Sequence, residues 1–137
     1  MIDKKAVWVD GQLVRLKKVK AFAGVSKDRC FLCREYFVPG TVKARHMHHM
    51  IHGTAGRTLA TRYGLIVPLC ERCHDVLHRT GENDLALEQL AQEEFEKVNG
   101  HAAWMAVFGK DYRAGRGLWR RERGMHEVHE IHGAAGI

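Results

Sequence analysis

Four cysteines fall in two Cys-x-x-Cys pairs, Cys30-Phe31-Leu32-Cys33 and Cys70-Glu71-Arg72-Cys73. A spacing of two residues lets both thiolates of a pair reach a metal from one tight turn, and two such pairs complete a tetrahedral zinc site. Cys30, Cys33, Cys70 and Cys73 are therefore expected to bind one structural Zn2+. The alternatives are disulfides or four unrelated buried cysteines. Disulfides fit a secreted chain, whereas the N-terminus here lacks the apolar run of a signal peptide and points to the cytoplasm, where paired cysteines more often mean zinc. The paired spacing argues against unrelated cysteines. Residues 34–69 separate the two pairs, more than in an ordinary zinc ribbon, so a substructure of its own must lie between them.

Histidines are the second source of chemistry, with ten in the chain. The segment between the cysteine pairs contains His46-Met47-His48-His49-Met50-Ile51-His52, and His74 and His78 follow directly after Cys73. His74 and His78 are four residues apart on an expected helix and share one face. Two imidazoles at that spacing can hold one metal ion, but two ligands do not make a firm site. Alone, the pair also reads as two helix-surface histidines, or as a zinc ligand competing with a cysteine. His48 and His49 lie on or beside a strand, where successive residues point to opposite sides. One of them can join the helical pair while the other faces a neighbouring pocket. His46 shares a strand face with His48 and becomes the ligand if the register differs. His46 and His52 are otherwise read as surface residues or as backing for the ligands. His126, His129 and His132 recur every three residues near the C-terminus and receive no role.

Taken in order, Cys30-Phe31-Leu32-Cys33, then His48-His49, then Val67-Pro68-Leu69-Cys70-Glu71-Arg72-Cys73-His74-Asp75-Val76-Leu77-His78 resembles the HNH endonucleases, the ββα-metal nucleases. The resemblance covers residues 30–78, and its motifs are specific in combination. The stretch from His48 to Leu69, with the helix that ends near Gly100, is also similar to small HNH proteins encoded by phages and prophages, which would work in a bacterial cytoplasm. The resemblance implies a metal-dependent enzyme that hydrolyses DNA phosphodiester bonds, by nicking or double-strand cleavage, leaving a 5′ phosphate and a 3′ hydroxyl. It implies that His48, His74 and His78 hold a catalytic divalent ion (Mg2+, Mn2+, Ni2+ or Zn2+) and that His49 is the general base. Where the family carries an Asn that fixes the loop around the base, this chain has Leu65.

These residues need elements to position them. Asp10-Gly11 between two apolar runs predicts an N-terminal hairpin. Residues 41–47 read as a strand, and Leu65-Ile66-Val67-Pro68-Leu69 as a second, with Pro68 at its end or on an edge. Gly53 to Thr61, rich in Gly and Thr, reads as a loop. Arg57 and Arg62 in that loop are expected to grip DNA phosphates, with plain solvation as the alternative. A helical pattern runs from Glu71 to Arg79 and stops at Gly81. A further helix, capped by Asn83 or Asp84, has apolar positions Leu87, Leu90, Ala91, Phe95 and Val98, and ends at Gly100. Trp104, Val107 and Phe108 suggest a third short helix. The expected fold class is α+β: a single HNH nuclease domain over residues 1–137, with a zinc-stapled ββα-metal core at 30–78, an N-terminal hairpin, a helical extension at 83–108 and a basic tail at 110–137.

The bulk properties agree with this reading. The chain has 137 residues and a net charge of +6, from 22 Lys and Arg against 16 Asp and Glu, which favours polyanionic partners such as DNA. No apolar stretch is long enough to span a membrane, and no membrane partner is expected. A monomer and a homodimer both suit the pattern. Two rival classes remain: a non-catalytic zinc-ribbon module that binds DNA or protein, and a metal hydrolase of another kind such as a protease. The protease reading lacks a Glu after the first helical histidine, since position 75 is Asp.

Overall fold

The described residues open on the hairpin that Asp10-Gly11 encodes. In the computed structural model, which describes residues 6–38 and 46–114, strand β1 (Ala6–Val9) pairs antiparallel with β2 (Gln12–Arg15). Asp10 and Gly11 both take positive φ, 49° and 81°, as a two-residue turn matched to strand twist requires. Val7, Val9 and Val14 face the core, while Trp8 and Leu13 pair across the strands on the solvent side. The hairpin packs against the last of the described helices, α4 (His101–Phe108).

A second antiparallel pair carries the histidines. Strand β3 (His46–His49) runs beside β4 (Ile66–Leu69), with His48 opposite Val67 and His49 opposite Ile66. Only the end of the strand expected over 41–47 is described, because residues 39–45 lie outside the described part. Pro68 is tolerated because this sheet has two strands, both of them edges. Its carbonyl accepts from Phe31 N–H at 2.8 Å, which ties the first cysteine turn to β4.

The segment between β3 and β4 is not the expected loop. Thr54–Tyr63 forms helix α1. Its Gly and Thr content disfavours a helix on propensity, but Ala60 and Tyr63 are fully buried, and Tyr63 packs edge-on to Phe95 at 5.4 Å. Packing of one apolar face decides the matter, as it does for most short helices. Arg57 and Arg62 are therefore helix residues. α1 ends at Gly64, which turns the chain into β4 at φ 79°.

Helix α2 (Glu71–Thr80) begins on Cys70 and stops at Gly81, as expected. α3 (Asp84–Asn99) follows, with Asn83 at its cap position, and α4 comes after Gly100. Leu87, Leu90, Ala91 and Phe95 of α3 are buried with Trp104 of α4, but Val98 is exposed. Position 98 leaves the buried stripe where α3 carries the N-terminal segment instead: Asn99 Nδ2 donates to Lys17 O at 2.9 Å, and Asn99 Oδ1 accepts from Lys17 N–H at 2.8 Å. The described residues thus form an α+β arrangement of two small antiparallel sheets and four helices. The tail positions His126, His129 and His132, and the arginines from Arg116 on, lie outside the described residues.

Gly64 tests this frame. A Cβ there would sit 2.6 Å from the Val19 carbonyl oxygen, and the left-handed conformation alone costs a non-glycine residue about 1–2 kcal/mol. Gly64→Ala is expected to lower the unfolding free energy by at least that much, seen by circular dichroism as a lower urea midpoint. An unchanged midpoint would show that the α1–β4 turn adapts freely.

Candidate metal centres

The two Cys-x-x-Cys turns meet. Cys30 to Cys33 form a tight turn closed by Arg34 N–H to Cys30 O and by Cys30 N–H to Glu35 O, with Arg34 at φ 62°. Cys70 caps α2, and its sulfur accepts from Cys73 N–H at 3.5 Å. All four Sγ atoms lie within 4.8 Å of one another, with Cys30 and Cys73 buried. Cys33 Sγ and Cys70 Sγ are 3.8 Å apart. Metal–sulfur bonds of about 2.3 Å in a tetrahedron place sulfurs roughly 3.8 Å apart, so the donors fit. The cluster can hold a metal ion such as zinc.

The protonation pattern explains why it suits a cation. Hydrogen bonds from Cys70 and Cys73 push the Cys30 thiol far down. Burial first, with the Cys30 charge adding to it, pushes Cys33 up to about 12. The hydrogen bonds of Cys73 to Cys30 and Cys70, with burial behind them, push its thiol far up. Crowded sulfurs cannot all ionise on their own. A dication would relieve their repulsion and could take all four as thiolates.

The histidines converge beside this cluster. His48 points inward from β3 and is 3% exposed. One donor atom each from His48, His74 and His78 lies within a 4.8 Å set, and His74 Nε2 and His78 Nε2 are 3.0 Å apart. Metal–nitrogen bonds of about 2.0–2.1 Å place adjacent nitrogens roughly 2.9–3.4 Å apart, so this pair fits one ion. His48 Nε2 is buried with no hydrogen-bond partner. Burial, then charge repulsion from His52, His74, His78 and His49, holds His48 down to about 3. Burial, then His46 and His78, hold His74 down to about 4 against a small opposing pull from Asp75. Both rings are therefore neutral near pH 7, the form that ligates. His46 is stacked on His74, with ring centroids 4.1 Å apart and nearly parallel planes, so it backs that imidazole.

His49 faces the other way. Its Nε2 lies 3.0 Å from Thr61 Oγ1 on α1. The Thr61 hydroxyl donates its one hydrogen to Arg57 O at 3.1 Å, so it accepts from His49 Nε2–H. In the neutral ring this leaves Nδ1 as the proton acceptor. Arg57, one turn before Thr61, shares its stripe of α1, whereas Arg62 is five residues on and roughly 140° around the helix. The two arginines do not form one grip. Leu65 is fully buried, and its carbonyl accepts from Met50 N–H at 3.0 Å, so backbone rather than an Asn side chain ties the end of β3 to β4.

Sequence reasoning missed two residues here. Thr61 had no signal beyond its place in a Thr-rich segment. Asp84, read only as a helix cap, forms a short hydrogen bond to His52 Nε2. No family model, curated protein or solved structure matches the chain. No helix among the described residues is long and apolar enough to cross a membrane.

Two outcomes follow from this geometry. Cys73→Ser should drop metal retained after dialysis from one zinc per chain to well below one and lower the melting temperature; retention of a full equivalent would refute the four-cysteine site. The second outcome concerns His48, whose affinity for protons is lower in the folded chain than its ordinary 6.5. Between about 3 and 6.5 the unfolded chain binds the extra proton, so stability falls as pH drops through that window. With no divalent ion added beyond the cysteine-bound zinc, the denaturant midpoint of the wild type should fall more between pH 7.5 and 5.5 than that of His48→Gln. Parallel curves would contradict the assignment.

Proposed function

We propose that this chain is an HNH endonuclease, a metal-dependent phosphodiester hydrolase acting on DNA, whose ββα core is stapled by a structural zinc on Cys30, Cys33, Cys70 and Cys73. One observation carries the reading: β3 splits two adjacent histidines, sending His48 into a ligand cluster with His74 and His78 and His49 to a separate hydrogen-bonded position on α1. A ligand and a base drawn from neighbouring residues act on one phosphate from two sides, and a metal-binding module has no use for the second.

Each residue then has a stated task. His48, His74 and His78 hold the divalent ion, which supplies positive charge for the scissile phosphate and for the oxygen that leaves. His49 takes the proton from the attacking water on Nδ1, with Thr61 fixing the ring through Nε2. His46 keeps the His74 ring in plane by stacking. Arg57, on the Thr61 side of α1, binds a neighbouring phosphate and sets register without reading bases. Arg62, on another face, contributes to the general field.

The test is nicking of supercoiled plasmid with Mg2+, Mn2+ or Ni2+. His49→Ala should reduce the rate by about 10²-fold or more while zinc content and circular dichroism stay as in the wild type. A mutant that cuts as fast as the wild type would remove His49 from the role of base. A wild type that binds one zinc, takes no second ion and nicks nothing would favour the zinc-ribbon binding module. Arg57→Ala should weaken DNA binding and reduce its salt slope by about one; an unchanged slope would mean that Arg57 meets no phosphate.

A further inference from the structure

Behind the trihistidine cluster lies a second ligand set. His52 follows β3, and Asp84 is the first residue of α3, 32 positions further along the chain. One donor atom from each of His48, His52 and Asp84 lies within 4.8 Å of the others. The His48 and His52 rings meet edge to face, with centroids 5.4 Å apart. His48 is 3% exposed, and its Nε2 is buried without a hydrogen-bond partner.

The bland account of the His52–Asp84 contact is an ion pair that pins the residues after β3 to α3. Both side chains are about one-third exposed, and pairs of that kind contribute little to stability. That account gives no partner to His48 Nε2. It also does not explain why the acid faces two imidazoles rather than one of the chain's many lysines and arginines.

We propose that His48, His52 and Asp84 form a second cation position, alternative to the one on His48, His74 and His78, and that Mn2+ takes it. The ion follows from donor chemistry. Three neutral imidazoles suit Ni2+ and Zn2+, whereas a set that includes a carboxylate suits Mn2+, which accepts oxygen and nitrogen together. A neutral imidazole has a single lone pair, so His48 serves one ion at a time. The pocket therefore holds one ion beyond the cysteine site, and its position depends on which ion is supplied. This goes beyond the nuclease reading and does not require it, because occupancy is read without DNA.

The experiment is Mn2+ titration of the full chain, with zinc already in the cysteine site, followed by electron paramagnetic resonance. Asp84→Asn should weaken Mn2+ binding about tenfold or more, while His78→Ala leaves it unchanged within error. For Ni2+, followed by calorimetry, the order reverses: His78→Ala weakens binding and Asp84→Asn does not. Ni2+ should displace Mn2+ competitively from the wild type. Wild-type Mn2+ affinity in Asp84→Asn would overturn the proposal. So would a His78→Ala loss of Mn2+ as large as that of His48→Ala, since Mn2+ would then sit on the three histidines. If Asp84→Asn alters the circular dichroism spectrum, His52→Gln decides by the same criterion. Mn2+ binding without any nicking would keep this proposal and end the nuclease reading, and nicking with an Asp84-independent Mn2+ site would do the reverse.

Discussion

Helix α2 carries both donor clusters, and its rotation about its own axis sets both at once. Cys70 caps it and Cys73 lies in its first turn; His74 and His78 occupy the adjoining stripe. Neighbouring residues on a helix are roughly 100° apart, so the thiol face and the imidazole face are adjacent and cannot be adjusted separately. Cys73 and Leu77, four apart, are buried and fix the rotation against the core. The histidine pair is thereby aimed at β3. Holding the Cys30 turn against the start of α2 does more than close a loop, because it orients the second cluster.

Strand β3 supplies the complementary half. Its two-residue period sends His48 inward and His49 toward α1, and the pairing of His48 with Val67 and His49 with Ile66 keeps them there. A slip of one residue would exchange the two faces and dismantle the arrangement. The electrostatics run in the same sense in both clusters. Thiols and imidazoles are crowded where their own charges repel or are desolvated, and a dication would relieve the crowding. The burial that holds His48 and His74 neutral also keeps their lone pairs ready.

Much of this was legible in the chain because it rests on local spacing. The Asp10-Gly11 turn, the two cysteine pairs, the i, i+4 histidines and the glycine stops at 81 and 100 are short-range signals, and each appears where it was expected. α1 was not legible. Thr54, Gly56 and Thr58 weaken its first half, and its cause is long-range: Tyr63 packs against Phe95, 32 positions further along. The loss of that helix from the reading also misplaced Arg57 and Arg62 and hid Thr61. Asp84 was out of reach for a similar reason, since nothing near it in sequence points to His52. Val98 kept the helical period yet fell at the rim, where Asn99 holds the backbone of Lys17.

The claim on which the account depends is that α2 serves two separate metal sites, one of sulfur and one of nitrogen. Stepwise Co2+ titration of the metal-free chain, followed by absorption spectroscopy, tests it most directly. The first equivalent should give intense thiolate-to-metal charge transfer with tetrahedral ligand-field bands. The second should bind more weakly and add no sulfur charge transfer, and His74→Ala should remove only the second step. A single equivalent with a mixed sulfur and nitrogen spectrum that His74→Ala alters would contradict the account, because a histidine would then be completing the cysteine site.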